Sequence, residues 1–537
     1  MTRVNSIKKI AIIGAGPGGL TTLNELLHTA SDGSSTIVSP TSNGILPANP
    51  AFEEITVFEQ NDSIGGVWNY TKDTDPAFPE DASDYSKPQS LRPHLVDLTD
   101  DKVESATLEK PVKIPLNENF DKRWNNSAVY DNLFTNIPNF LMRFSTSFGE
   151  PLKIDKNSSV YTPFATHQNV FRYIADYVKR YDLGKHIRFN STVEKLYKKG
   201  DKWYISVLKF DPKDNSGIVY TETFDAVVIS TGRFNFPFYP KIEGLQAFHR
   251  QNPNVLMHAK SFRSSAGLRN KKVLIVGSNI SGIDLSQYLI PIAELHISSN
   301  SKHASNNAES GELEKQKQDW VEKVFADDAI RWIKHGRISK IAGTTVEFED
   351  GTSESDFDKI IFCTGYHLSY PFLDIPENRD RHYISLSSGF SGNPNYALTK
   401  VDNLYLYTFT IEDPTLCHTG LVQNPLFFLT SEANAVAIAG IWSGASKLPS
   451  VEMQKKFLED RIEGKKWGFQ TYTESSIRDF IGQCYDLAPK NRFNFLPYVN
   501  EGDVEKAHRV LPDLFYKFAT GDLNQFDPSI RYAESTL

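Results

Sequence analysis

Two glycine-cornered segments, far apart in one chain, constrain this sequence more than anything else in it. The first reads Ile12-Ile13-Gly14-Ala15-Gly16-Pro17-Gly18-Gly19-Leu20, and the second Val273-Leu274-Ile275-Val276-Gly277-Ser278-Asn279-Ile280-Ser281-Gly282. Each follows an apolar, β-branched run and opens a helical pattern. In such a turn the first glycine permits a tight corner, the second lets the main chain approach a pyrophosphate, and the third lets helix and strand pack closely. The phosphates then face the free N–H groups and the positive end of the helix dipole. One such turn implies one bound dinucleotide. Two imply a pair, and so a flavin supplied with electrons by a nicotinamide.

The first copy has its whole surroundings. A second strand, Ile55-Thr56-Val57-Phe58, ends at Glu59, whose carboxylate suits the ribose hydroxyls of an adenosine. The gap to this acid exceeds the usual ~20 residues. Ser31 to Pro50, rich in Ser, Gly, Pro and Asn, reads as an inserted loop that accounts for the excess. The second unit begins near Lys271, with its second strand at Glu294-Leu295-His296-Ile297-Ser298. Ser298, Ser299, Asn300, Ser301 and Lys302 follow, with no carboxylate among them. An acid there suits NAD, whereas hydroxyl and cationic donors suit the 2′-phosphate of NADP. NADPH is therefore expected, and the start of a solvated loop is the competing reading of the same residues.

Composition narrows the class. A chain of 537 residues holds two or three domains, and a net charge of −8 without a long basic block argues against a general nucleic-acid binder. Cys363, Cys417 and Cys484 lie far apart, so no disulfide framework, zinc spacing or redox CxxC pair is expected, and no metal. A reduced, cytoplasmic setting fits, with peripheral attachment at the endoplasmic reticulum as the alternative. No apolar run approaches the roughly 18 residues of a membrane span. Met1 to Lys9 runs straight into the first strand, which leaves no room for a signal peptide.

Between the two turns, Thr71 to Asn126 is polar and Pro-rich and reads as an extended surface excursion. Periodicity predicts a helix over 164–181, with Val170, Tyr173, Ile174 and Val178 on one stripe. Strands are expected at 193–196, 203–207 and 224–230, and Thr231-Gly232 ends the first lobe. Residues 300–319 read as a mobile loop, 345–351 as a hairpin edge, and Lys359-Ile360-Ile361-Phe362 as a buried strand. No third dinucleotide turn follows, so the chain is expected to return to complete the first lobe. The expected class is α/β, with two Rossmann-like, glutathione-reductase-type domains. The NADP-binding domain (234–362) is inserted in an FAD-binding domain made of 1–233 and 363–537.

Taken in order, these landmarks resemble the class B flavin-containing monooxygenases, especially the yeast type. The matching segments are Gly14 to Gly19, Gly65-Gly66-Val67-Trp68, Thr135-Asn136-Ile137-Pro138, Ser281-Gly282-Ile283-Asp284 and Cys363-Thr364-Gly365-Tyr366. Asp413-Pro414-Thr415-Leu416, Trp442-Ser443-Gly444 and Leu448-Pro449-Ser450 complete the set. They cover about residues 8 to 450; the chain from Val451 onward matches no motif. The resemblance implies FAD on the first unit, held by Gly14, Ala15, Gly16, Pro17, Gly18, Gly19 and Glu59, with Val67 and Trp68 near its pyrophosphate or ring. It implies NADPH on the second, held by Gly277, Ser278, Asn279, Ser281, Gly282, Ile283, Asp284 and Lys302. Thr135, Asn136, Ile137, Val193, Thr231, Gly232, Gly365 and Gln423 complete the cofactor contacts.

The activity the resemblance implies is oxygenation of a soft nucleophile through a C4a-hydroperoxyflavin formed from NADPH-reduced flavin and O₂. Small thiols, sulfides and tertiary amines are the candidate substrates. An NADPH oxidase-like or non-catalytic flavin-binding protein is the alternative, and monomer or homodimer stays open. By the same resemblance Asn136 lies between flavin and nicotinamide and is the catalytic side chain. Read alone, Asn136-x-Pro138 caps a turn. Two departures fall on the nicotinamide side. Asn279 replaces the middle glycine of the second turn, where tolerance of left-handed backbone would make it acceptable. Asn252 and Asn254 replace the Phe and Gly of an FxGxxxHxxx[Y/F] segment whose second half is His258 and Phe262. His258 reads equally as a packed junction histidine. Phe262, in place of Trp, argues by resemblance against a Baeyer–Villiger oxygenase.

Overall fold

The computed structural model describes residues 7–42, 44–75, 92, 94–98, 100–116, 120–147, 152–211, 216–299, 319–374, 384–387, 398–462, 472 and 474–521. Its largest sheet has seven strands, in the order Leu404–Tyr405, Phe409–Thr410, Leu416–His418, Ala226–Ile229, Lys9–Ile13, Glu54–Phe58, Ile187–Arg188. The centre is parallel, with Ile10 paired to both Ala226 and Ile55. Ile10, Ala11 and Ile12 are wholly buried. A parallel strand is covered on both faces, so it reads as an unbroken apolar run. A second sheet is parallel throughout, in the order Leu256–His258, Lys359–Phe362, Lys272–Val276, Glu294–Ser298, Ile333–His335. The strands of the large sheet come from chain on both sides of this second one.

The helix Phe427–Trp442 is apolar around its whole circumference and packs on the first dinucleotide helix, Pro17–Leu27. Polar groups inside this contact are paired. Arg492 donates to Glu25 at 2.8 and 2.7 Å and to Ser145 at 3.0 Å, and lies 3.4 Å from Glu432. Burial, with Glu25 as a second carboxylate nearby, pushes Glu432 up to about 7. The segment that carries Arg492 also fastens the inserted loop, through Ser35 N–H to Lys490 O (2.9 Å) and Phe493 N–H to Ile37 O (2.8 Å).

Three expectations are corrected in detail. Phe164–Thr166 pairs as a short strand with Phe134–Pro138, so the helix is His167–Arg180, started by a Thr166–Asn169 capping box. The 71–126 stretch is only partly a surface excursion. Val112–Pro115 joins a four-stranded antiparallel sheet with Ser216–Phe224, Lys202–Asp211 and Ser191–Lys199. Leu95, Val96 and Val103 bury themselves against Leu208 and Val219, and Arg92 meets Glu194 in a fully buried pair at 2.8 Å. The hairpin edge is three-stranded, Ile338–Ala342, Thr345–Phe348 and Ser353–Ser355. Residues 300–318, the expected mobile loop, lie outside the described residues. No helix among the described residues is long and apolar enough to cross a membrane.

Candidate active site at two glycine turns

At the first turn, glycine is required by contact. Gly14 has φ +104°, and a Cβ on it would meet the Ser230 carbonyl oxygen at 2.6 Å. A Cβ on Gly19 would sit 1.9 Å from the Gly14 carbonyl oxygen, so the helix rests directly on the strand end. A Cβ on Gly18 would meet Thr419 Oγ1 at 2.9 Å. Gly16 is the extended N-cap residue, without a side-chain cap, and Pro17 begins the helix. The first-turn N–H groups therefore remain open to an anion. The Gly65-Gly66 corner covers the turn, with Gly65 N–H donating to Ala15 O at 2.9 Å. Val67 and Trp68 follow in a single 3₁₀ turn whose Val67 carbonyl accepts from the Ser127 hydroxyl. Glu59 accepts from Ala15 N–H (2.8 Å) and Asn61 N–H (2.9 Å), and burial raises its carboxyl above the usual range. A bare helix N-terminus, a cradle that any Cβ would fill and an acid at the neighbouring strand end together fit an adenine dinucleotide.

The second turn repeats this steric pattern. A Cβ on Gly277 (φ +108°) would meet Cys363 O at 2.7 Å, and one on Gly282 would meet Gly277 O at 2.0 Å. Asn279 takes φ −84°, ψ −174°, so its backbone is extended and the expected recourse to left-handed geometry is not used. Its Oδ1 accepts from Ile280 N–H at 2.7 Å, a cap across the turn where a phosphate would approach. Ser278, Ser281 and Ile283 line the same corner and helix start. Asp284 is half-buried, and both its oxygens are engaged, one by the Tyr130 hydroxyl and one by Gln287 Nε2 at 2.8 Å. Burial pushes its carboxyl up to about 6. Ser298 donates to Gly336 O at 2.8 Å, and Ser299 N–H to His335 O at 3.0 Å. Asn300, Ser301 and Lys302 lie outside the described residues.

The Phe134–Pro138 strand crosses between the two units. Phe134 belongs to the core under the second sheet, whereas Ile137 packs against the core under the first. Thr135 and Asn136 occupy the crossing. The pairing skips from Phe134↔Thr166 to Pro138↔Phe164, so Thr135, Asn136 and Ile137 face a single residue, Ala165. Such a bulge re-aims side chains. Thr135 Oγ1 donates to Ile137 O at 2.7 Å and accepts from Ala165 N–H at 3.1 Å. Asn136 is half-buried on this bulged strand and does not cap a turn, and its side-chain amide has no hydrogen-bond partner among the described residues.

The junction is held by His258, which the sequence singled out, and by Lys260, Arg263 and Asp75, which it did not. His258 is packed, with Nε2–H donating to Gly365 O at 3.0 Å and Nδ1 accepting from Lys260 N–H at 3.1 Å. Burial lowers it to about 3. Lys260 is buried against Asp75 and donates to Asn235 O at 2.8 Å. Arg263 spends its guanidinium on the carbonyls of Thr71, Asp73 and Ser127, at 2.8, 2.9 and 2.8 Å. Asp75 lies far from Lys260 in sequence, and no local pattern links them. Of the remaining candidates, Thr231 and Gly232 (φ +75°) follow the Ala226–Ile229 strand. Gly365 carries the carbonyl that binds His258. Val193 is buried in the core beside Phe58, and Gln423 is exposed, its carbonyl accepting from Tyr472 N–H at 2.9 Å.

Two other clusters bear on the chemistry. The three thiols are buried, and burial raises each well above the ordinary cysteine range. None is poised as a thiolate. His296 and His335 share a hydrogen bond at 2.9 Å beside Glu354. Glu294 and Thr352 take their outer nitrogens, and Lys272 neutralises Glu354 at 2.7 Å, so the cluster is satisfied internally.

A family model described as pyridine nucleotide-disulphide oxidoreductase matches residues 129–407, just over half of the 537. Among curated proteins, the flavin-containing monooxygenase iboF of Amanita muscaria is 27% identical, covering 90% of this chain and 89% of its own. Senecionine N-oxygenase of Tyria jacobaeae is 25% identical, covering 86% and 77%. Among solved structures, the S-allyl-L-cysteine S-oxygenase of Allium sativum superposes with TM-score 0.62 at 21% identity, covering 97% of this chain and 94% of that one. The last likeness is one of fold. The chain belongs to the pyridine nucleotide-disulphide oxidoreductase family and, within it, to the class B flavin-containing monooxygenases. This family uses FAD and NADPH.

Proposed function

We propose that this protein is an NADPH- and O₂-dependent monooxygenase that oxygenates a soft nucleophile, sulfur or nitrogen, on a small molecule. The observation that carries the reading is the bulged strand that crosses between two glycine turns in a chain whose thiols are buried and protonated. A disulfide reductase needs a reactive dithiol beside its flavin, whereas an oxygenase needs a polar group between two coenzymes. FAD would be held by the open helix end at Gly16-Pro17 and by Glu59, and NADPH by Gly277 to Gly282. The lack of an acid after Ile297 favours the phosphorylated nicotinamide. Bound flavin supplies the redox and oxygen chemistry, and the protein supplies orientation and exclusion of water. The Asn136 amide can donate to one coenzyme and accept from the other, which suits it to hold the oxidised nicotinamide in place while oxygen is transferred. The relative named as an N-oxygenase supports a soft-nucleophile substrate.

Asn279 favours a second reading. A capped helix end weakens the nicotinamide site, as in a flavin-binding protein without turnover. The test is NADPH oxidation by the purified flavoprotein with cysteamine or N,N-dimethylaniline, scoring oxygenated product and H₂O₂. Asn136→Ala is expected to keep FAD and to divert most NADPH to H₂O₂. Equal peroxide yields in the variant and the parent would remove Asn136 from the mechanism. A parent flavin that NADPH does not bleach would establish the second reading.

A further inference from the structure

The region that no sequence motif explains, after Val451, returns to the junction. Its last two described helices are Asp503–His508 and Leu511–Ala519. The second lies on the nicotinamide-side unit. Leu511, Leu514, Phe515 and Phe518 share one core with Val273, Ile275, Ile283 and Leu285. The Phe518 ring centroid lies 5.0 Å from that of Tyr288 on the Ile280–Leu289 helix and 6.1 Å from that of Phe134. The first helix then directs His508 at the crossing strand, with His508 Nε2 2.8 Å from the carbonyl oxygen of Asn136. A carbonyl only accepts, so Nε2 carries the hydrogen.

This contact meets a need the strand pairing leaves open. Leu133 O accepts from His167 N–H, so Phe134 and Thr166 form a pair that exchanges no hydrogen bonds, and Asn136, two residues on, has its carbonyl on the side of the strand turned away from that partner. Across the bulge three residues face Ala165 alone, and the Ala165 N–H reaches Thr135 Oγ1. A half-buried carbonyl without a donor leaves its peptide free to rotate, and the Asn136 side chain would turn with it. Thr135 fixes one side of the bulge. We propose that His508 is a positioning residue that fixes the other, holding Asn136 in register and tying that register to the Ile280–Leu289 helix on which the second coenzyme would lie. The inference rests on the reading of Asn136 given above.

The test compares two substitutions of similar polarity. In His508→Gln the side-chain amide reaches as far as Nε2 and keeps the donor. In His508→Asn it stops short and loses it. Both are measured as full-length flavoprotein beside Asn136→Ala, reading flavin content and H₂O₂ formed per NADPH consumed. Each leaked turnover converts NADPH, a proton and O₂ into NADP⁺ and H₂O₂. His508→Asn is expected to retain flavin and to raise the peroxide fraction at least threefold. His508→Gln is expected to stay within 1.5-fold of the parent. A merely structural contact would lower flavin content and NADPH oxidation together and leave that fraction unmoved. A leaking Asn136→Ala with a tight His508→Asn would overturn the positioning role alone, as would a His508→Gln that leaks like His508→Asn. A tight Asn136→Ala would overturn the reading of Asn136 and this inference with it.

Discussion

The two dinucleotide units differ by less than their sequences suggest, and the difference is concentrated in one side chain. Gly16 and Asn279 have nearly the same backbone, φ −78° and ψ −178° against φ −84° and ψ −174°. The flanking glycines also do the same work in each unit, separating helix from strand by contacts that admit no Cβ. What changes is who satisfies the helix end. At Gly16 no side chain does, and Gly66 backs the turn, its Cα 3.5 Å from where a Cβ would stand. At Asn279 the turn's own side chain bonds Ile280 N–H. The middle glycine of such a turn is thus a statement about access rather than about backbone conformation.

The largest effects come from the positions where the units agree. Gly19→Ala and Gly282→Ala each place a methyl about 2 Å from a carbonyl oxygen, which the backbone must move to relieve. Equal strain has unequal consequences. Gly19→Ala is expected to yield protein without flavin absorbance. Gly282→Ala is expected to keep FAD, to be bleached by dithionite, and to bind NADPH at least ~100-fold more weakly, about 2.7 kcal/mol. Loss of flavin from both variants would mean that the second unit supports the first one's site.

Much of this symmetry is legible in the chain because buried parallel strands are continuous apolar runs. Glu294–Ser298 and Lys359–Phe362 fall where the pattern puts them. What is not legible depends on partners distant in sequence. The described parts of 71–126 look solvated in sequence because what ties them down includes Arg92 on Glu194, Asp75 on Lys260 and the Arg263 carbonyl clasp. Apolar periodicity is blind to such pairs. The bulge at Thr135–Ile137 is likewise invisible, since a three-against-one pairing is a property of two strands. The Asn136 motif could be found, and what holds it could not.

A smaller effect separates the helices themselves. Each carries a carboxylate turned inward, Glu25 wholly buried and Asp284 half-buried. Glu25 is answered by the Arg492 guanidinium, and Asp284 by a phenol and an amide. With no cation among its described contacts, Asp284 holds its proton up to about pH 6. A raised folded value contributes stability that is complete below the unfolded value of about 3.8 and is lost as pH rises through 6. Above pH 7 the half-buried charge therefore costs up to about 3 kcal/mol, less what solvent screens. Asp284→Asn keeps the acceptor for Tyr130 and removes the charge. Its urea midpoint should exceed the parent's clearly at pH 8 and by about half as much at pH 5. A gain independent of pH would show that the carboxylate is already neutral or solvated.

The smallest effect tests the one residue on which the units disagree. Replacing an Asn N-cap with Gly costs a helix only a few tenths of a kcal/mol, so Asn279→Gly should leave the melting temperature within about 1 °C. It removes the Oδ1 that occupies Ile280 N–H and opens the second helix end as the first is open. If phosphate and side chain compete for that donor, NADPH should bind roughly 3- to 10-fold more tightly, about 0.7 to 1.4 kcal/mol. FAD content should not change, because the substitution lies on the other sheet. The reciprocal change, Gly16→Asn, is admitted by the backbone, since a Cβ there meets Gly66 Cα at 3.5 Å, an ordinary contact. Its side chain would cap the open helix end, and flavin should bind more weakly. An Asn279→Gly protein that binds NADPH no better than its parent would mean that the asparagine turns aside when the pyrophosphate arrives, and the two helix ends would then be equivalent in use despite their difference in sequence.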